Sequence, residues 1–158
     1  MLHAMSGIVI DEEVILSASP DAVWELFNAP EGYVLFVGYG PIPGLARVEW
    51  LDGDPSRPGS VARVHNTDGS THRERVLRSE RPSRYEIAID QFSSPFRFVV
   101  REAREDVRFV AEGGKTRLVR RFTFIPRSAL AVPIALVIRR LFRRAVQRNH
   151  EGLVRHFG

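Results

Sequence analysis

Residues 132–157, VPIALVIRRLFRRAVQRNHEGLVRHF, constrain this chain more than any other stretch. They read as one long helix. At 100° per residue Ile134, Ile138, Leu141, Phe142, Ala145, Asn149, Gly152, Leu153 and His156 fall on one arc. Arg139, Arg140, Arg143, Arg144, Arg148 and Arg155 lie outside its centre. A helix with a single apolar stripe must bury that stripe against another layer, and the preceding sequence supplies one. From Arg47 to Pro126 the pattern is strand after strand: ARVEWL, SVARVHN, THRERVLRS, RYEIAIDQF, a long segment from FRFVV to VRFVA, and KTRLVRRFTFI. Asp-Gly, Arg-Pro-Ser and Gly-Gly turn signals separate them, so successive strands form an antiparallel meander. The alternating IVIDEEVILS at residues 8–17 brings the strand count to seven.

Between the first strand and the meander, Ser19-Pro20-Asp21 places an N-cap ahead of a proline at the first helical position. Val23, Trp24, Leu26 and Phe27 give the resulting short helix an apolar stripe, and Asn28-Ala29-Pro30 ends it. The segment EGYVLFVGYGPIPGL predicts a second short helix followed by a loop of fixed shape, suited to covering a cavity. The order predicts an α+β arrangement in which a curved seven-stranded antiparallel sheet wraps one long C-terminal helix, with two short helices after the first strand. A twisted sheet closing on one helix leaves interior space at its open end, with the short helices and the Gly/Pro loop at the mouth.

At 158 residues the chain predicts a single domain spanning 1–158, large enough to enclose a core. Apolar residues make up 44% and charged residues 27%, close to the globular average, which argues against a disordered or fibrous chain. No cysteine is present, which removes disulfides, thiolate metal sites and cysteine nucleophiles together. The N-terminal MLHAMSGIVIDEEV lacks the basic and long apolar segments of a signal peptide, so a cytoplasmic location is expected. The longest apolar run, AVPIALVI, is far short of the about 20 residues a spanning helix needs. Charge is uneven: residues 1–79 are net acidic and residues 80–158 net basic, and every basic residue except Lys115 is arginine. Such asymmetry can accompany nucleic-acid or anionic-membrane contact, but no nucleic-acid motif accompanies it and no such partner is expected. A basic amphipathic helix could still lie on a membrane surface. A homodimer is left open.

Four stretches in this order, SASPDAVWELF, RERVLRSERPSRYEI, GGKTRLVRRFTFIP and the terminal LVRHF, resemble the START-like (SRPBCC) superfamily in its polyketide cyclase/dehydrase and lipid-transport branch. The resemblance runs over nearly the whole chain. It implies the helix-grip fold and a cavity between sheet and helix that takes hydrophobic or amphipathic small molecules. A minority of such proteins are cyclases, dehydratases or hydrolases. The iron-dependent members need a further Cys/His iron-sulfur domain that this chain does not contain.

The stretch GSVARVHNTDGSTHRERV, residues 59–76, carries the candidate chemistry. With Asp68-Gly69 as the two central turn residues, His65 faces His72, Arg63 faces Glu74 and Val61 faces Val76, all on one face. Hydrophobicity alone does not decide which face is inward. The resemblance does, since the glutamate of hormone-binding relatives matched by Glu74 points into the cavity. Ligand-lining candidates are therefore Arg63, His65, His72 and Glu74, together with Tyr85, Ile87 and Ile89 on one strand face and Arg120 and Phe122 on another. The long helix adds Phe142, Asn149 and Leu153. Arg120 needs a partner on its apolar face, with Glu74 or a bound anion as candidates, and a buried Asn149 must also hydrogen-bond. His65 or His72 could serve as general base in an aldol cyclisation or dehydration, with Arg63 or Arg120 steadying the oxyanion. No metal or other cofactor is expected. The leading expectation is a carrier of an aromatic or lipid-like molecule; the alternatives are a cyclase/dehydratase and a peripheral membrane or interaction protein using its basic helix.

Overall fold

A computed structural model describes residues 7–158 of the chain. The N-terminal reading of MLHAMS as no part of a leader concerns residues 1–6, which lie outside the described residues. The elements run β1 (Ile8–Leu16), α1 (Pro20–Asn28), α2 (Pro30–Tyr33), β2 (Gly38–Tyr39), β3 (Ile42–Pro43), β4 (Leu45–Asp52), β5 (Val61–Asn66), β6 (Thr71–Glu80), β7 (Arg84–Asp90), β8 (Val100–Glu112), β9 (Lys115–Pro126) and α3 (Val132–Phe157). Seven strands form one antiparallel sheet in the order β1-β9-β8-β7-β6-β5-β4, so β4 to β9 are the expected meander and β1 closes on β9. The sheet curves around α3, as the single apolar stripe requires.

Local chemistry explains the short elements. The Ser19 hydroxyl accepts a hydrogen bond from the Ala22 amide at 3.3 Å, Pro20 opens the first turn, and Asp21 favours its positive end. Pro30 then stops α1 and starts the single turn of α2. The Gly/Pro segment folds as the two-stranded β2–β3 hairpin, pairing Gly38 with Pro43 and Tyr39 with Ile42. Gly38 sits at φ +80°, and a Cβ there would come within 2.2 Å of the Ile42 carbonyl oxygen, so only glycine fits. On the outer sheet face, arginines pair across strands: Arg73 with Asp90, Arg84 with Asp106 and Arg121 with Asp11. The basic strands are therefore largely neutralised in place.

The predicted arc of α3 is corrected by a rotation of about one position. Ala135, Ala145, Val146, Asn149, His150 and Leu153 are buried, while Ile134 and His156 are exposed. The helix contacts β1 and β2 more than the middle of the sheet, so its buried stripe turns toward the Val146 and His150 side. His156 stacks only on neighbouring Phe157 near the last turn.

Two apolar clusters fill the space between sheet and helix. One gathers Leu16, Val23, Trp24, Val76, Tyr85, Ile87, Val107, Phe109, Leu118 and Leu153. The other gathers Ile10, Phe36, Ile42, Val100, Ala103, Phe122, Phe124, Ala145 and Val146. Between them lies a belt of buried polar side chains.

Candidate functional site

The belt is built from alternation. On β6, β8 and β9 every second side chain points to α3, and at mid-sheet those inward positions are Glu74, Glu105 and Arg120 instead of apolar residues. Arg120 is 4% exposed and donates from Nε to Glu105 Oε2 at 2.7 Å and from Nη1 to Asn149 Oδ1 at 2.6 Å. Its guanidinium also lies over the rings of Phe27 and Phe122, 5.2 and 5.0 Å from their centroids. Arg120 thus has its partner, and it is Glu105, not the Glu74 or anion considered from sequence; Asn149 on α3 completes the pair. Burial pushes the Glu105 carboxyl above its usual range despite the adjacent arginine, which makes Arg120 the group that keeps a charge there tolerable.

Glu74 anchors the other half of the belt. Its Oε2 accepts from the Tyr33 hydroxyl at 3.1 Å, and its Oε1 lies 3.3 Å from His72 Nε2. The Asn66 amide nitrogen lies 3.3 Å from His72 Nδ1. An amide N–H can only donate, so Nδ1 accepts and Nε2 carries the proton that it donates to Glu74. Desolvation and the neighbouring Glu74 push the Tyr33 phenol well above its usual range, so it remains a donor. Tyr85 is held protonated in the same way, and its buried hydroxyl has no hydrogen-bond partner among the described residues.

The belt borders an internal cavity in two lobes. The larger, 130 Å³, is lined by Phe36, Ile42, Phe92, Phe96, Phe124 and Ile138 together with His72, Glu74, Ile89, Glu105, Arg120, Phe122 and Phe142. The smaller, 60 Å³, lies against Tyr33, Tyr85, Ile87, Asn149 and Leu153. Phe36, Leu45, Glu74, Glu105 and Arg120 border both lobes. The predicted residues His72, Glu74, Tyr85, Ile87, Ile89, Arg120, Phe122, Phe142, Asn149 and Leu153 are all brought to this cavity.

Arg63 and His65 are not. The hairpin register differs by one residue from that predicted, pairing Val61 with Arg75, Ala62 with Glu74, Arg63 with Arg73, Val64 with His72 and His65 with Thr71. The cause is the turn. Thr67-Asp68-Gly69 form a three-residue loop: the Gly69 amide donates to Asn66 O at 3.1 Å, the Asn66 amide donates to Ser70 O at 2.8 Å, and Gly69 takes φ +85°. One extra loop residue shifts every pair and turns the two histidines to opposite faces. His65 sits outside, 3.1 Å from Glu49 Oε2, and cannot converge with His72 on a common ion or substrate. The predicted Arg63–Glu74 ion pair does not form; Arg63 is exposed beside Glu49. The same shift puts buried Ala62 and Val64 on the face of His72 and Glu74, resolving which face is inward.

Sequence reasoning missed Tyr33, Asn66, Phe92, Phe96, His150 and above all Glu105. A period-two signal for Glu105 existed, because Ala103, Val107 and Phe109 alternate with it as inward residues. On the back of α3, Arg143 pairs with Glu12 at 3.3 Å and Arg148 reaches Gly38 O. Arg139, Arg140 and Arg144 form no ion pair among the described residues, and Leu130, Ile134 and Val137 are exposed nearby in sequence. No helix among the described residues is long and apolar enough to cross a membrane.

The family described as polyketide cyclase / dehydrase and lipid transport matches residues 8–158. Solved structures with the same fold include Ara h 8.0201, at 14% identity over 93% of this chain and 97% of that one, TM-score 0.67. The protein XoxI from Bacillus cereus is 16% identical over 94% of each chain, TM-score 0.67. The ginseng major latex-like protein 151 from Panax ginseng is 9% identical over 97% and 99%, TM-score 0.68. A comparison with curated protein sequences finds no match.

Proposed function

We propose that this chain, which belongs to the polyketide cyclase / dehydrase and lipid-transport family, binds a hydrophobic or amphipathic small molecule in the cavity between the sheet and α3. The observation that carries this reading is the pairing of a phenylalanine-walled lobe with a hydrogen-bonded polar belt at its inner end. Apolar walls with a few fixed polar groups are what small-molecule sites generally offer. The proposed setting is the cytoplasm, consistent with a chain that contains no cysteine. Native mass spectrometry of the purified protein tests the role: a co-purified small molecule, lost in an Ile138→Trp variant that fills the larger lobe, is the expected result. A mass equal to the bare chain, with no shift on adding apolar probes, would overturn it.

A second reading, a cyclase or dehydratase with His72 as base, draws on the placement of His72 and Glu74 in the cavity wall. Its weakness is chemical. The lone pair on His72 Nδ1 already accepts from Asn66, so the imidazole has no free basic nitrogen until Asn66 moves aside. An Asn66→Ala variant separates the two roles, because it should raise turnover of a polyketone substrate if His72 is the base and leave turnover absent if the protein only binds. The basic back of α3 supports a membrane-contact role less, since nothing in the structure indicates what covers it.

A further inference from the structure

Building on the cavity-binding role, we propose that the cavity selects a compact, uncharged aromatic molecule bearing a hydroxyl, of the size of a single-ring phenol, and rejects carboxylates. Three observations converge on this class: size, wall chemistry and the unused hydrogen-bonding capacity of the belt.

Size comes first. The larger lobe measures 130 Å³ and the smaller 60 Å³. An apolar protein cavity of about 150 Å³ accommodates one benzene ring. The larger lobe is close to that size, and the smaller lobe has room for one substituent. The two lobes do not enclose a long acyl chain or a multi-ring polyketide.

The walls favour a ring. Phe36, Phe92, Phe96, Phe122, Phe124 and Phe142 surround the larger lobe. Phe122 and Phe124 already present edges to Phe142, at 4.9 and 5.0 Å between centroids. A guest ring extends this edge-to-face packing, which an alkyl chain does not.

The belt then sets the head group. Both lobes border two carboxylates, Glu74 and Glu105, against one guanidinium, and Arg120 is already committed through Nε to Glu105 and through Nη1 to Asn149. A guest carboxylate would be desolvated beside two acidic groups with the nearby cation already paired, an arrangement that disfavours it strongly. What the belt leaves open is acceptor capacity on the carboxylate oxygens, the N–H donors of Arg120 beyond its bonds to Glu105 and Asn149, and the Tyr85 hydroxyl, which is buried without a partner in the wall of the smaller lobe. A guest group that uses both the acceptors and the donors must donate one hydrogen bond and accept another. A hydroxyl does both. A ketone or aldehyde only accepts, and an ammonium only donates while losing its hydration.

The test uses a matched set of ligands on the full-length protein, with affinities read by isothermal titration calorimetry: p-cresol, toluene, p-toluate and 4-methylbenzylamine. The expected order is p-cresol tightest, about tenfold tighter than toluene, with p-toluate showing no measurable heat of binding. Tyr85→Phe should lose about tenfold in p-cresol affinity and leave toluene unchanged. Toluene, p-toluate or the amine binding as tightly as p-cresol, or a Tyr85→Phe variant with undiminished p-cresol affinity, would overturn the head-group selection while leaving cavity binding intact. Silence from all four ligands in a protein that co-purifies with a larger molecule would overturn the size limit alone. Silence from all four in a protein with no co-purified molecule would remove the cavity-binding role together with this inference.

Discussion

The two ends of the sheet are built from the same alternating strands, yet one is largely filled, keeping only the 60 Å³ lobe, and the other holds the 130 Å³ lobe. At the filled end, Trp24 and Phe27 of α1 drop between the sheet and the C-terminal part of α3. Trp24 packs on Tyr85 and Phe109 at 5.6 and 5.1 Å, and Phe27 on the same two residues at 6.5 and 5.6 Å. At the hollow end no α-helix comparable to α1 is inserted among the described residues. The cover consists of the β2–β3 hairpin, Phe92 and Phe96 from the β7–β8 connection, and the N-terminal half of α3. Strand pattern alone therefore does not decide where a cavity lies. It is decided by which helical side chains are inserted, and here α1 inserts on one side of the polar belt only.

Breaking the filled end should have the largest effect. Trp24→Ala removes the residue at the centre of its aromatic group, and the rigid sheet beneath cannot collapse into the gap. The expected loss is about 3–5 kcal/mol, measured by chemical denaturation. Arg120→Met attacks the belt between the ends. It leaves Glu105 buried and unpaired, at an expected cost of about 3–5 kcal/mol, and adding Glu105→Gln should recover most of that loss. A double variant no more stable than Arg120→Met alone would show that the pair matters for its packing and not for its charge.

Acid should act on the α3 side of the belt. Burial, with the Arg120 charge as a second cause, lowers the pKa of His150 from 6.5 to about 3, and its Nε2 is buried without a partner. The unfolded chain takes up this proton near pH 6.5 and the folded chain only near 3, so the unfolded state binds more protons in between. The contribution is fully present above pH 6.5 and is lost on acidification through that window, by at most about 1.4 kcal/mol per pH unit. His150→Gln should flatten the difference between pH 6 and pH 4 relative to the native chain; equal slopes in the two proteins would count against this titration. The hollow end should respond more weakly to truncation. Phe92 is half-buried against an existing void, so Phe92→Ala is expected to cost roughly 1 kcal/mol while loosening ligand binding, the reverse of the balance at Trp24.

Much of this contrast was legible in the sequence, for specific reasons. The N-cap and proline at residues 19–20 fixed the start of α1, and period-two alternation placed Tyr85, Ile87, Arg120 and Phe122 on the inner face without any tertiary information. Glu105 stayed hidden because a glutamate in phase with inward Ala103, Val107 and Phe109 looks like an interruption of the apolar face until pairing with β9 puts Arg120 near it. His150 stayed hidden because the way α3 rests on its neighbours rotates its buried stripe away from the sequence-derived arc, and that packing is a property of several elements together. The volume of the cavity was likewise invisible. It depends on side chains that converge from β2–β3, the β7–β8 connection and α3, which are far apart in sequence.

The smallest expected effect tests the register directly. His65 and His72 flank the same loop, and a two-residue turn would make them equivalent. The three-residue loop separates them, placing His65 30% exposed outside the sheet against Glu49 and His72 at the cavity wall against Glu74. His65→Ala should therefore change stability by no more than about 0.5 kcal/mol, the scale of an exposed pair, and leave ligand affinity unaltered. His72→Ala removes a donor from a buried carboxylate and should weaken both stability and binding of p-cresol measurably, by about 1–3 kcal/mol in stability. The ratio of the two losses is the informative quantity. Equal effects would mean that both side chains reach the interior, which requires the two-residue turn and returns Arg63 to the cavity wall with them.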